Sequence, residues 1–243
     1  MSYAIEIKDL TKRYRDVVAV DHLSLNVVEG ELFSLLGVNG AGKTTTIKML
    51  SCLTSPDEGD ALLRGHSIRT EAAEVKRVIA ASPQETAIAP GLSVRENLEL
   101  MCGVHGFSKE KRNTKITELS TLLGLDTVLS KKAGKLSGGW QRRLSIAMAL
   151  ISEPKILFLD EPTLGLDVLA RSDLWDIILA LKGSVTVILT THYMEEAEAL
   201  SDRIAIMKDG KLLICDTAAA IKQATDTDSF EQAFIRVVKG VSA

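Results

Sequence analysis

The stretch that decides the fold is Leu32-Phe-Ser-Leu-Leu-Gly37-Val-Asn-Gly-Ala-Gly-Lys43-Thr-Thr-Thr-Ile-Lys-Met-Leu50. Its apolar start predicts a buried strand, and the residues from Lys43 onward predict a helix. Three glycines between Gly37 and Lys43 allow the backbone to turn tightly and to point successive N–H groups at a ligand. The helix adds the positive end of its dipole, so the stretch predicts a phosphate-binding site.

The loop matches the complete pattern G-x-x-x-x-G-K-[ST] from Gly37 to Thr44. In such a loop the lysine, here Lys43, gives a positive charge to the outer phosphates of a nucleotide, and the Thr44 hydroxyl is suited to Mg²⁺. A chance glycine-rich turn is the alternative, but it does not account for a strand before the loop and a helix after it. We therefore predict nucleotide binding.

Composition and charge narrow the class of protein. The chain has 243 residues, 46% of them hydrophobic and 25% charged, as in ordinary globular α/β proteins. A formal net charge of −3 gives no indication of a nucleic-acid surface. Three widely spaced cysteines argue against a disulfide framework and favour a reducing compartment. No apolar run approaches membrane-spanning length, so work at a membrane would require another chain to span it.

Strand patterns fade between about residues 86 and 153. Ser93-Val-Arg-Glu96 has the form of a capping box that opens a helix. Residues 111–123 carry apolar side chains at helical spacing, with charges on the opposite face. A basic cluster lies there, and the interspersed Glu110 and Glu118 favour a solvated helix face. The cluster consists of Lys109, Lys111, Arg112 and Lys115. We predict that this segment is a helical insertion packed against an α/β core, and not a second independent domain.

A second anion site is predicted where residues 136–140, Leu-Ser-Gly-Gly-Trp, lead into an apolar helix. Ser137 is a suitable N-cap, and Gly138 and Gly139 leave the first N–H groups of the helix uncovered. About ninety residues separate this site from Lys43. A simple capped helix is the alternative interpretation of this motif taken alone.

Residues 155–161, Lys-Ile-Leu-Phe-Leu-Asp-Glu, predict an apolar strand that ends in two carboxylates. Because adjacent residues of a strand point to opposite faces, Asp160 and Glu161 are expected to have different roles. Asp160 is suited to Mg²⁺ together with Thr44, and Glu161 is suited to polarise an attacking water. Strand ends often carry surface acids, so the functional interpretation depends on the phosphate loop.

Two further residues are candidates because of their positions. His192 follows a predicted buried strand at residues 185–189, and ligands bind at such strand ends in open α/β sheets. Tyr14 precedes a strand-like run and is able to stack on a nucleotide base, although its position alone favours packing. A hairpin over residues 203–215 and an amphipathic helix from residue 226 complete the predicted elements.

The order of these motifs resembles that of the nucleotide-binding domain of ABC transporters, over nearly the full chain. Residues 37–45 match Walker A, and residues 156–160 match Walker B, with Glu161 following. Residues 136–140 match the signature motif, except that Trp140 holds the place of the usual glutamine. This departure leaves in doubt a polar contact from that position to the nucleotide.

Shorter matches complete the resemblance and imply the remaining site residues. Tyr14 matches the aromatic that stacks on adenine, and Gln84 matches the Q-loop glutamine. Asp167 matches the D-loop, and His192 matches the switch histidine. With ATP and Mg²⁺ as cofactors, the resemblance implies catalytic roles for Lys43, Glu161 and His192 and metal contacts from Thr44, Gln84 and Asp160. The residues expected to bind the nucleotide are Tyr14, Asn39, Gly40, Ala41, Gly42, Lys43, Thr44, Thr45, Gln84, Ser137, Gly138, Gly139 and Asp167.

The implied fold is α/β, a P-loop NTPase with a RecA-like mixed sheet core and an antiparallel β subdomain. The ATPase domain is expected over residues 1–225, with the helical subdomain inserted at about residues 86–153. A C-terminal helical tail is expected over residues 226–243.

The resemblance implies an ATPase subunit that powers export of an unknown substrate through a separate transmembrane permease. Two ATPase domains, as a homodimer or a pseudo-symmetric dimer, would pair head to tail with ATP between them. The expected location is cytoplasmic, peripheral on the inner face of the cell membrane, with no nucleic-acid partner. Residues 83–85, 93–97 and 228–234 most resemble ABC-2 type exporters. A soluble ABC ATPase acting on a ribosome or DNA, and a non-hydrolysing nucleotide-gated module, are the alternatives.

Overall fold

Two β-sheets and a set of surrounding helices are formed by residues 2–240, the part of the chain that the computed structural model describes. The strands are β1 (Tyr3–Tyr14), β2 (Val17–Val28), β3 (Leu32–Leu36), β4 (Glu58–Leu63), β5 (His66–Ser67), β6 (Ile79–Ser82), β7 (Ile156–Asp160), β8 (Thr186–Thr191), β9 (Arg203–Lys208) and β10 (Lys211–Asp216). The helices are α1 (Lys43–Leu50), α2 (Ala72–Val78), α3 (Val94–Val104), α4 (Lys109–Leu122), α5 (Gly138–Leu150), α6 (Val168–Leu181), α7 (Met194–Leu200), α8 (Ala218–Ala224) and α9 (Phe230–Lys239). Met1 and residues 241–243, the outer ends of the predicted ATPase domain and tail, lie outside the described residues.

The larger sheet has six strands in the order β10-β9-β3-β8-β7-β6. Its strands from β9 to β6 are parallel, and β10 pairs antiparallel with β9. β3, β7 and β8 are buried along their whole length, as expected for continuous apolar strands covered on both faces. The carboxyl ends of these three strands therefore meet at one edge of the sheet, where the phosphate loop begins.

The smaller sheet is antiparallel, with the order β2-β1-β4-β5. Its apolar side shares one core with β3 and α1, in which Ile5, Phe33 and Met49 are each at most 1% exposed. This packing places the turn between β1 and β2 beside the loop that follows β3. The observed mixed sheet, antiparallel sheet and helices confirm the predicted fold class.

Helices α3, α4 and α5 lie between β6 and β7, within the predicted insertion. The capping box is confirmed, since Glu96 N donates to Ser93 Oγ and Ser93 N donates to the Glu96 carboxylate. The apolar side chains of these helices join those of β7 and α6 in one core, which includes Leu98 and Leu144. The division of the chain into domains stays a prediction.

The amphipathic helix predicted near the C-terminus is confirmed as α9. Phe230, Ala233 and Phe234 are buried against the β9 side of the large sheet. The hairpin predicted before it is also confirmed, by β9 and β10. Within residues 2–240, none of the helices combines the length and the apolar character that crossing a membrane would require.

Candidate functional site

The loop between β3 and α1 has the backbone geometry of a phosphate cradle. Gly42, the residue before α1, has φ 104°, a conformation that favours glycine. A Cβ at Gly42 would lie 2.5 Å from the carbonyl oxygen of Ala19, and one at Gly37 would lie 2.4 Å from that of Met207. Both glycines are therefore required by close backbone approach, as the sequence pattern predicted.

A cavity of about 620 Å³ lies over this loop, within the usual size range of small-molecule sites. It brings together the loop, the end of β7 and the residue that follows β8. The residues that line it are Val17, Ala19, Asn39, Gly40, Ala41, Gly42, Lys43, Thr44, Thr45, Gln84, Glu161, Leu164 and His192. Most of the predicted nucleotide-binding residues thus face one space.

Of the three predicted catalytic residues, Lys43 and His192 both contact Glu161 in this cavity. Lys43 Nζ donates to the carbonyl oxygen of Gly37 at 2.7 Å and lies 3.6 Å from Glu161 Oε1. His192 Nδ1 lies 2.7 Å from Glu161 Oε2. Burial lowers the pKa of Lys43, and the nearby Glu161 carboxylate opposes that effect. Burial of an ammonium group favours a further anionic partner, which a phosphate would provide.

Thr44 and Asp160 form the oxygen-rich part of the site. Thr44 Oγ1 donates to Asp160 Oδ1 at 3.4 Å, across the gap between α1 and β7. Hydroxyl and carboxylate oxygens are the ligands that Mg²⁺ prefers, so this pair fits the metal. Groups of three or more metal-binding His, Cys, Asp or Glu are absent among residues 2–240. Mg²⁺ typically takes few protein carboxylates and completes its shell with phosphates and water, which agrees with this arrangement.

The different roles of Asp160 and Glu161 were predicted from the alternation of side chains along a strand, and that reason is wrong. β7 ends at Asp160, and Glu161 has φ 49°, so strand alternation does not govern its side chain. Both carboxylates reach the start of α1, where Asp160 contacts Thr44 and Glu161 contacts Lys43. Asp160 and Glu161 do have different partners. The left-handed turn at Glu161, and not strand alternation, produces this difference.

The second predicted anion site lies apart from this cavity. α5 begins at Gly138, and Ser137 is its N-cap residue but makes no side-chain capping hydrogen bond. Ser137 and Gly138 are exposed. Asp167 lies near this motif: a Cβ on Gly139 would be 3.1 Å from the Cβ of Ala170, whose N–H donates to Asp167 Oδ1. The structure thus brings Ser137, Gly138, Gly139 and Asp167 together, on a surface separate from Lys43.

Tyr14 and Trp140 are the two aromatic residues that the sequence singled out. Tyr14 pairs with Val17, which lines the cavity, but Tyr14 itself is 45% exposed and does not line it. Trp140 packs against the helical core, with the guanidinium of Arg143 4.9 Å from its ring. The stacking of Tyr14 on adenine stays a prediction.

Arg142 was not identified from the sequence. Only 5% of it is exposed, and its guanidinium donates to the carbonyl oxygens of Pro83 and Gln84 at 2.6 and 2.7 Å. α5 therefore holds the backbone at the predicted Q-loop. An arginine that interrupts an otherwise apolar face of the helix was the available signal, because buried arginines need specific partners.

Glu196 was also missed. It is 0% exposed on α7, and Trp175 Nε1 donates to its Oε1 at 3.1 Å. Burial raises the pKa of this carboxyl, more than the hydrogen bond from Trp175 lowers it. Nothing in the acid-rich sequence of α7 distinguishes Glu196 from the glutamates around it.

Comparison with models of protein families gives two matches. A family model described as "ABC transporter" matches residues 20–164. A second model, described as "AAA domain, putative AbiEii toxin, Type IV TA system", matches the shorter segment 132–197.

Relatives are about 40% identical to this chain over the aligned residues. It is 41% identical to the daunorubicin/doxorubicin resistance ATP-binding protein DrrA of Streptomyces peucetius, over 91% of this chain and 67% of that protein. It is 39% identical to the probable multidrug ABC transporter ATP-binding protein YbhF of Escherichia coli and 40% identical to human phospholipid-transporting ATPase ABCA3. The chain spans only 41% and 13% of the lengths of these two proteins.

Solved structures agree in fold. An ATP-binding subunit of an ABC transporter superposes with a TM-score of 0.85 at 27% identity, covering 96% of this chain and 99% of that one. The ATP-binding cassette MJ0796, solved as a dimer in a post-hydrolysis state bound to ADP and Pi, gives a TM-score of 0.78 at 28% identity, covering 88% and 98%. The chain belongs to the ABC transporter family, as one of its ATP-binding ATPase domains.

Proposed function

We propose that this chain is the ATP-hydrolysing subunit of a transporter that exports its substrate through a separate membrane-spanning partner. The observation that carries the proposal is the single cavity in which Lys43 and His192 both contact Glu161 beside the Thr44–Asp160 pair. Export is supported by relatives whose names assign them to drug resistance and multidrug transport.

In this proposal the N–H groups of residues 39–45 and the ammonium of Lys43 hold the phosphates of ATP. Thr44, Asp160 and Gln84 hold Mg²⁺, which neutralises charge on the phosphates when it is bound. Glu161 orients the attacking water and accepts its proton, and His192 holds the Glu161 carboxylate in position. When ATP binds, the contact between Lys43 and Glu161 is replaced by a contact between Lys43 and a phosphate group.

We infer that a second copy or a similar domain completes the site. Ser137, Gly138, Gly139 and Asp167 do not line the cavity of their own chain, so they are available to the ATP of a partner. The dimeric structures of MJ0796 support this arrangement. Closure of the dimer would depend on the different affinities of the closed state for ATP and for ADP. The dimer would then act on the permease from the inner face of the membrane.

Co-purification tests the transport role. A tagged chain would be isolated from detergent-solubilised membranes of its native cells, and the proteins bound to it would be identified by mass spectrometry. We expect a multi-spanning membrane protein that is absent from an untagged control. Recovery with ribosomes or DNA, in the soluble fraction, would instead support a soluble ABC ATPase. A steady-state ATPase assay on the same sample, with Glu161→Gln as the inactive control, separates these outcomes from a non-hydrolysing module.

A further inference from the structure

The side chain of Thr190, near the end of β8, connects the Asp160 carboxylate to the backbone of Glu161. Its Oγ1 donates to Asp160 Oδ1 at 2.5 Å, and the N–H of Glu161 donates to the same Oγ1 at 3.0 Å. Thr190 is 0% exposed, so water does not compete for these contacts. One hydroxyl group therefore uses its single proton on Asp160 and a lone pair on Glu161.

These contacts matter because Glu161 has a backbone conformation that side chains seldom adopt. Its φ of 49° lies in the left-handed region, which is rare for residues other than glycine, asparagine and aspartate. Such a conformation persists only where neighbouring groups hold it. The N–H of Glu161 also donates to the carbonyl oxygen of Thr190 at 3.1 Å, so backbone and side chain of one residue hold this turn.

Thr190 also connects the carboxylates to the histidine. The strand that carries Thr190 continues through Thr191 to His192, whose Nδ1 lies 2.7 Å from Glu161 Oε2. Glu161 is therefore held by Thr190 through its N–H and by His192 through its carboxylate. Because residues 190–192 are consecutive, these contacts form a closed ring. Loss of the hydroxyl would open this ring at the point where Asp160 is also attached.

We propose that Thr190 is a positioning residue, whose hydroxyl sets the Asp160 carboxylate and the Glu161 backbone in the relative geometry that ATP hydrolysis requires. The hydroxyl does not line the cavity, so it acts through these two groups and not on the substrate. The proposal rests on the proposed ATPase function and adds to it a group that specifies how the metal carboxylate and the base are held together.

Thr190→Val tests this most directly, because valine keeps the shape of threonine and removes only the hydroxyl. We expect kcat for ATP hydrolysis to fall about tenfold to a hundredfold, as for a small misplacement of catalytic groups. The affinity for a fluorescent ATP analogue in EDTA is expected to stay unchanged. The gain in affinity on adding Mg²⁺ is expected to shrink, because Asp160 loses its orienting donor. Thr190→Ser retains the hydroxyl and should restore both quantities.

Thr186→Val is the matched control on the same strand. Thr186 is 3% exposed and four positions earlier, and its Oγ1 accepts from the N–H of Gly30 at 3.0 Å, away from the site. We expect this variant to keep the wild-type kcat and Mg²⁺ dependence. If Thr190→Val does not fold, Thr190→Ala removes the same hydroxyl with a smaller side chain. Thermal melting of each nucleotide-free variant identifies the folded ones.

The outcomes separate the two proposals. Wild-type kcat and Mg²⁺ dependence in Thr190→Val would overturn the positioning role while leaving the ATPase function intact. Equal impairment of Thr190→Val and Thr190→Ser, or of Thr186→Val, would also overturn it, because the hydroxyl would then not be the cause. Absence of ATP hydrolysis by the wild-type chain would instead contradict the proposed function.

Discussion

Replacing Arg142 by methionine removes the hydrogen bonds that α5 makes to the loop containing Gln84. The guanidinium is buried and donates to two carbonyl oxygens, those of Pro83 and Gln84. A hydrogen bond from a charged group contributes about 1.5–3 kcal/mol, so the pair contributes about 3–6 kcal/mol before opposing terms. Burial of the guanidinium, which lowers the pKa of Arg142, opposes this gain. Pro83 and Gln84 are exposed and regain water, so we expect a net loss of about 2 kcal/mol in the free energy of unfolding.

Urea unfolding followed by circular dichroism measures this loss. Arg77→Met is the control, because Arg77 lies on α2 with 73% of its side chain exposed and pairs with Glu74 at 2.7 Å. We expect that control to lose at most about 1 kcal/mol, as surface ion pairs do. A free energy of unfolding for Arg142→Met within about 0.5 kcal/mol of the wild type would refute a stabilising role for these two hydrogen bonds.

Two further predictions concern Tyr14 and Glu196. Because stacking on a base contributes about 1–3 kcal/mol, Tyr14→Ala should weaken ATP binding about 5- to 160-fold without changing kcat at saturation. Tyr3→Ala, on the same strand with 46% exposure, is the control, and equal affinities of the two variants would return Tyr14 to a packing role. Burial raises the pKa of Glu196 above its ordinary 4.5, so the folded chain binds this proton more tightly than the unfolded chain does. That contribution to stability is complete below pH 4.5 and falls as pH rises toward the folded pKa. Glu196→Gln should therefore gain stability relative to wild type with rising pH, and parallel stability curves in urea titrations would contradict this.

Much of the fold could be predicted because local signals and tertiary structure agree. The loop from Gly37 to Thr44 combines a complete motif with the elements that such a motif needs on either side. The capping box at Ser93 and the apolar spacing from Phe230 depend only on neighbouring residues, and both predictions are confirmed. Local agreement of this kind is what makes an element predictable from one sequence.

The geometry between distant elements could not be predicted in the same way. Thr190 and Glu196 contact groups more than twenty residues away, and nothing in their local sequence shows those contacts. Strand periodicity also gave the wrong reason for the different contacts of Asp160 and Glu161. The left-handed turn at Glu161 is held by Thr190 on β8. Residues 155–161 alone carry no information about that strand.

The most direct test of the central claim, that ATP joins two of these chains and its hydrolysis releases them, is the molar mass of Glu161→Gln. Loss of a general base slows hydrolysis by about 10²–10⁴-fold, so ATP should stay bound in this variant. Light scattering after size exclusion should give twice the chain mass of 26.3 kDa with MgATP, and the single mass with ADP. Lys43→Ala in the same background should stay monomeric. A monomer of Glu161→Gln at saturating MgATP, together with wild-type rates of hydrolysis, would contradict the account.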